Sequence, residues 1–401
     1  MLIATVVMVV GLTIGAWAAT TRGYRLSGVV VVSLLAIYAL VDVVAVPMFV
    51  LSALLAYLVI QAVQNRWLLY GRPLLLTAIL VGAVLPVLGF VVVDLFMGHS
   101  LVVRDIDYIG SILPGIAAYN FHRADADRRL PELLGSAGLL VGLIGLGIVS
   151  LLLWSRPPCV TCDLLGISPA DYVAPILLTG GSDVAGVLGL ATVDTPGSIG
   201  SLGAVTAIVL LGLVVGEFGR ERWGLRPVGV IALPLVALFA LRSWWILPLY
   251  VGIALGSFGV IQAVHSRTFL YGRGLLSIAA VSGVLLAVPA LVLFGLTEPV
   301  GVFFAGLLGG IGAYYLHTAA PGERVATVTV NAGIFVAIFA VARVLIEPRP
   351  GGLGTSLGWP DLLVGGLVIL ATIRVLVRLE RIRPSERTLR SHARVTGGGN
   401  R

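Results

Sequence analysis

Apolar runs of roughly 15–23 residues alternate with short polar clusters along the whole chain, and this pattern predicts membrane-spanning helices. The runs are continuous, whereas a membrane barrel needs short segments of alternating polarity. In the first half they fall at 2–19, 27–41, 44–63, 73–95, 108–121 and 132–154. In the second half they fall at 203–218, 227–241, 244–264, 274–296, 300–317 and 325–346, with a thirteenth at 361–379. Six map onto six. Segments 27–41 and 108–121, with their copies 227–241 and 300–317, are short against the roughly 20 residues of a full span. They are expected to be tilted, broken or re-entrant. The fold class is therefore all-α: a polytopic helical membrane protein of about 11–13 segments.

The six-to-six correspondence is a sequence repeat. Gln61–Arg72, QAVQNRWLLYGR, returns 201 positions later as QAVHSRTFLYGR, with eight of twelve residues identical. The same offset pairs Arg25 with Arg226 and Gly28 with Gly229. Downstream it becomes 195, pairing Gly115-Ile116 with Gly310-Ile311 and His122 with His317. Six elements per copy give both copies the same orientation, a parallel repeat. The organisation expected is a first membrane module at 1–155, a Gly/Pro/Ser-rich linker at 156–202 and a second module at 203–346. An additional transmembrane segment at 347–379 and a basic tail at 380–401 complete it.

Composition sharpens this picture. The chain is 58% hydrophobic and 11% charged, against about 25% charged in soluble domains. All 26 basic residues are arginine, so no side-chain amine is available for Schiff-base chemistry and no P-loop lysine for phosphates. Of these arginines, 21 fall in the odd-numbered connections or the C-terminal end and five in the even-numbered ones. By the positive-inside rule the odd loops and the C-terminus are expected in the cytoplasm and the N-terminus outside. The linker then lies outside. Ala16-Trp17-Ala18 resembles a cleavage site, but nothing basic precedes Arg22, so the first run reads as a retained span.

Candidate chemistry is sparse. Every Asp and Glu, including Asp94 and Glu217, is expected in a loop or near a segment end, which disfavours a proton relay in mid-membrane. The duplicated corners Tyr70-Gly71-Arg72 and Tyr271-Gly272-Arg273, with Arg66 and Arg267 just before them, are the best site candidates. Glycine there takes a positive φ that stops a helix, and arginine offers a bidentate fork for a carboxylate or phosphate. The plainer reading is a helix end anchored at the headgroups. Gly115 and Gly310 sit in small-residue runs suited to close packing or to a broken helix lining a path. His122 and His317 each read as lone surface histidines. Cys159 and Cys162 suit a local disulfide outside the cell better than a metal site, which wants four ligands. Asp105/Asp107 and Asp125/Asp127 do not recur in the second copy. No catalytic residue, metal site or cofactor is assigned.

Each half resembles the small polytopic membrane protein of the poly-γ-glutamate synthase and capsule-biosynthesis complex (the CapC/PgsC family). The residues that carry the resemblance are Glu221-Arg222-Trp223-Gly224 with Pro227, Gly229 and Pro234, then the corner Trp67–Arg72, then Ile109–Ile116. It extends over about 20–155 and 219–346, leaving the first span, the linker and the last span outside. In the second copy Gly309 stands where the first has Pro114. The resemblance implies a membrane component that is not catalytic by itself. It would dock a cytoplasmic ATP-dependent ligase, assemble with the synthase's other membrane subunits and guide the anionic polymer. An arginine-rich face suits a polyanion and anionic lipid headgroups alike; nucleic acid is not an expected partner. Two other readings stand beside it, a secondary transporter of a small anion or amino acid and an integral-membrane transferase.

Overall fold

The computed structural model describes residues 1–97, 112–154, 182–188, 200–225, 231–294, 298–356 and 358–382. Cys159, Cys162, Asp105 and Asp107 lie outside the described residues. The first copy forms α1 (Leu2–Thr21), α2 (Val29–Val41), α3 (Ala45–Trp67), α4 (Arg72–Met97), α5 (Leu113–His122) and α6 (Ala126–Trp154). A short α7 (Asp183–Val187) lies in the linker. The second copy forms α8 (Leu202–Trp223), α9 (Ala232–Arg242), α10 (Ile246–Arg267), α11 (Arg273–Leu293), α12 (Pro299–Thr318) and α13 (Arg324–Leu345), followed by α14 (Trp359–Ile382). No strand occurs among the described residues, and nine of their helices are long and apolar enough to cross a membrane. The protein is a multi-pass helical membrane protein.

The short elements differ from expectation in one respect. α2 and α9 are short, at 13 and 11 residues. α12 is a full 20-residue helix. Pro299 begins it, where a missing N–H costs nothing, and its glycines let it lie against neighbouring backbones along its length. A Cβ on Gly310 would stand 2.1 Å from the Ala279 carbonyl oxygen on α11, and one on Gly115 would stand 2.2 Å from that of Ala78 on α4. Gly82 and Gly283 complete the same two seams from the other side. In a bilayer the tails are as apolar as the side chains, so close contact of small residues is what holds helices together.

Each copy contains a tight trio, α3–α4–α5 or α10–α11–α12, and the copies interlock through their first helices. α1 packs on α11 of the second copy, while α8 packs on α4 of the first. The remaining helices brace this exchange: α6 lies against α1 and α2, and α13 against α8 and α9. α2 and α9 are almost wholly buried within this frame.

The molecule has two distinct ends. One gathers the arginines at the ends of α1, α5 and α8 and the starts of α4 and α11. There Arg222 and Trp223 bond to Glu380 and tie α14 to α8. At the other end α2 and α9 stop. The Leu40 carbonyl accepts from the Ser182 hydroxyl, and the Ala240 and Leu241 carbonyls accept from the Leu353 and Arg349 N–H groups. In both copies a returning segment thus satisfies carbonyls left open by a helix end. Arg242 adds a buried ion pair to Glu298 at 2.8 Å.

Candidate functional site

Between the copies lies a cavity of about 380 Å³, within the usual range for small-molecule sites. Its wall repeats the sequence duplication. Leu75 and Leu276, Ile116 and Ile311, Leu34 and Leu235, and Val31 and Ala232 face it as equivalent pairs. Asn120 and Tyr315 are another such pair. α2 and α9 begin beside it, with Gly28 and Ile231 in the wall. Gly28 has φ +107°, and a Cβ there would come within 3.0 Å of the Asn120 amide nitrogen. Glycine is required at this turn.

The arginines of the two corners, Arg72 and Arg273, both line this cavity. The interlock brings them there from positions 201 residues apart. Gly71 and Gly272 have φ of +69° and +58°, the conformation expected of glycine, but they act one step later than expected. Leu68, itself left-handed at φ +51°, ends α3, and Gly71 then turns the chain into α4. In the second copy Thr268 is extended at the end of α10, and Gly272 directly precedes α11. The Tyr119 hydroxyl donates to the Gly71 carbonyl at 3.0 Å and pins the first corner to α5. Tyr70, Tyr271, Arg66 and Arg267 are exposed, alongside the exposed Trp67, Leu68 and Phe269. Gly115 and Gly310 are buried in the helix seams and do not line the cavity.

The two arginines have different surroundings. Arg72 makes a 2.8 Å ion pair with Glu217 on α8, whose carboxylate is almost buried. Glu217 also faces the cavity and lies within α8, six residues before its end. The sequence placed this carboxylate near a segment end, and the fold buries it there. It is tolerable because Arg72 neutralises it. Arg273 has no ion pair to a carboxylate among the described residues. Arg25 and Arg123 lie within electrostatic range of it, as does Glu132. The Glu132 carboxylate is buried and accepts from the Arg25 backbone N–H at 3.2 Å.

The histidines are not lone surface groups either. His122 hydrogen-bonds Gln64, and at the equivalent place His317 meets His265 at 2.7 Å. Arg129 and Arg324 reach back to the carbonyls of His122 and His317. The signal was present in the offsets, since 201 places His265 on Gln64 while 195 places His317 on His122. No group of three or more metal-ligating side chains occurs among the described residues.

A family model for capsule biosynthesis CapC matches residues 10–130 and 211–325, together more than half of the chain. The chain belongs to the CapC capsule-biosynthesis family. It carries the CapC unit twice, and each match begins within α1 or α8. The matches begin earlier than the ranges of about 20–155 and 219–346 that the motifs suggested, partway along the first helix of each copy, and also end earlier, at residues 130 and 325. Both corners, Glu217 and the cavity-lining parts of α4, α5, α11 and α12 all fall inside the matched CapC regions. No curated protein and no solved structure matches the chain.

Proposed function

We propose that this chain is the membrane subunit of a poly-γ-glutamate capsule synthesis and export complex, with its arginine-rich end and C-terminus in the cytoplasm. In this reading a cytoplasmic ATP-dependent ligase docks at that end, and the anionic product is received at the cavity between the two copies. The observation that carries the reading is the convergence of Arg72 and Arg273 on one duplicated cavity. A γ-linked glutamate chain alternates carboxylates with pairs of methylenes. Arginine suits the first, and the leucine and isoleucine walls suit the second. The exposed Trp67, Tyr70, Phe269 and Tyr271 give the same face aromatic anchors of the kind that dominate protein interfaces. The excess of arginine in the odd-numbered connections supports the orientation.

The test is Arg72→Ala combined with Arg273→Ala in the native host. Extracellular polymer is expected to disappear while the protein stays in the membrane at normal level; unchanged polymer would defeat the reading. Affinity purification from gently solubilised membranes is expected to recover an ATP-dependent amide ligase. Anion or amino-acid uptake into proteoliposomes by the purified protein alone would instead favour a secondary carrier.

A further inference from the structure

Among the described residues, the repeat gives the cavity two equivalent arginines and one carboxylate in its lining. Glu217 on α8 pairs with Arg72, and the residue 201 positions earlier, at the same place on α1, is Ala16. α1 packs on α11 and α8 packs on α4, the second pair meeting over a smaller surface. Thr20 on α1 would touch a side chain placed at Gly274, immediately after Arg273. Ala16 is thus to Arg273 what Glu217 is to Arg72, with the carboxylate removed.

We infer that Arg273 is the cavity's single open carboxylate subsite, and that Glu217 occupies at Arg72 the position a ligand carboxylate takes at Arg273. The inference rests on the proposed function for its ligand, a γ-linked glutamate chain, and deepens it by assigning one carboxylate to one of two arginines. Arg25 and Arg123 add positive charge around the open subsite, partly offset by Glu132. Occupied at one arginine from within, the cavity engages one ligand carboxylate at a time. The apolar wall beside Arg273, Leu276 and Ile311 among it, meets the methylenes that follow.

A swap between the copies tests this. The full chain is placed in phosphatidylcholine nanodiscs and titrated with a fluorescent γ-linked glutamate oligomer. One saturable site is expected. Ala16→Glu supplies the missing partner to Arg273 and should weaken binding roughly tenfold or more, the scale of one lost charge-assisted hydrogen bond. Arg273→Ala should do the same. Glu217→Ala, which gives the second copy the residue the first copy already has, should raise the stoichiometry from one to two. Binding unchanged in Ala16→Glu, equal losses from Arg72→Ala and Arg273→Ala, or no binding by the wild type would each overturn the inference. Repeating the titration in phosphatidylglycerol nanodiscs separates carboxylate from lipid phosphate: displacement of the oligomer would assign the subsite to a headgroup and overturn it. If Ala16→Glu binds normally while the double arginine variant still abolishes capsule, the subsite assignment fails and the broader function stands. If capsule persists in that double variant, the broader function itself fails.

Discussion

The two Tyr-Gly-Arg corners share their sequence, their positive-φ glycine and their cavity, yet they stand in different electrostatic states. Arg72 is neutralised by a nearly buried glutamate; Arg273 has no ion pair to a carboxylate among the described residues, with Arg25, Glu132 and Arg123 within electrostatic range. The helix seams behave in the opposite way. Gly115 and Gly310 meet the carbonyls of equivalent alanines at almost the same separation. Duplication has thus been retained where the backbone packs and lost where the cavity carries charge. A glycine in backbone contact has no substitute of similar size, whereas a cavity carboxylate can be dropped from one copy without disturbing a helix.

Breaking the seams should have the largest effect. Gly115→Ala and Gly310→Ala each place a Cβ on a carbonyl oxygen, and overpacking in tighter sites costs about 1–3 kcal/mol or more. Both should sharply reduce the monodisperse peak in detergent size-exclusion chromatography, and to similar extents. A large difference between them would show that the seams are not equivalent after all.

Next come the arginines taken singly. Arg72→Ala leaves the buried Glu217 carboxylate without its partner, a loss of about 1–3 kcal/mol. Because Arg72 is itself 40% exposed, water moderates this cost and the lower half of that range is expected. Arg273→Ala should change stability by about 0.5 kcal/mol or less, as at an ordinary surface position. Thermal unfolding of the two variants in the same detergent separates these outcomes, and equal shifts would remove the asymmetry.

Smaller effects refine the picture. Tyr119→Phe removes the hydroxyl that donates to Gly71 and should cost about 0.5–1.5 kcal/mol. His265→Gln converts the second copy's histidine pair into the His–Gln pair of the first copy. It should be nearly neutral, within about 0.5 kcal/mol. His265→Ala, which leaves His317 unpaired, should be measurably worse in the same assay.

The helical membrane class, the number and order of the segments and the parallel repeat could all be read from the sequence. They follow from local quantities: the length of an apolar run against bilayer thickness and the identity of residues at a constant offset. The family could be read for the same reason, from the corner and the motifs around it. Glycine's positive φ at Gly71 and Gly272 was likewise predictable, being a property of one residue. The extent of α12 was legible to within a residue at each end, as the apolar run 300–317; its close seating against α10 and α11 was not.

Other features depended on which helices meet. Glu217 was visible as a charge near a segment end, but its partner is 145 positions away and in the other copy. Nothing along the chain indicates that α8 crosses to α4, or that α1 crosses to α11. His265 and His317 lie 52 residues apart on separate helices, so their pairing had no local signature beyond two different offsets. By itself, the sequence determined that this protein is a duplicated helical membrane unit with matching arginine corners. The tertiary structure alone decided that those corners share one cavity and that, among the described residues, Arg72 forms an ion pair with a carboxylate while Arg273 forms none. Ion pairing acts over a few ångströms in space, and the chain brings those ångströms about only by interlocking its two halves.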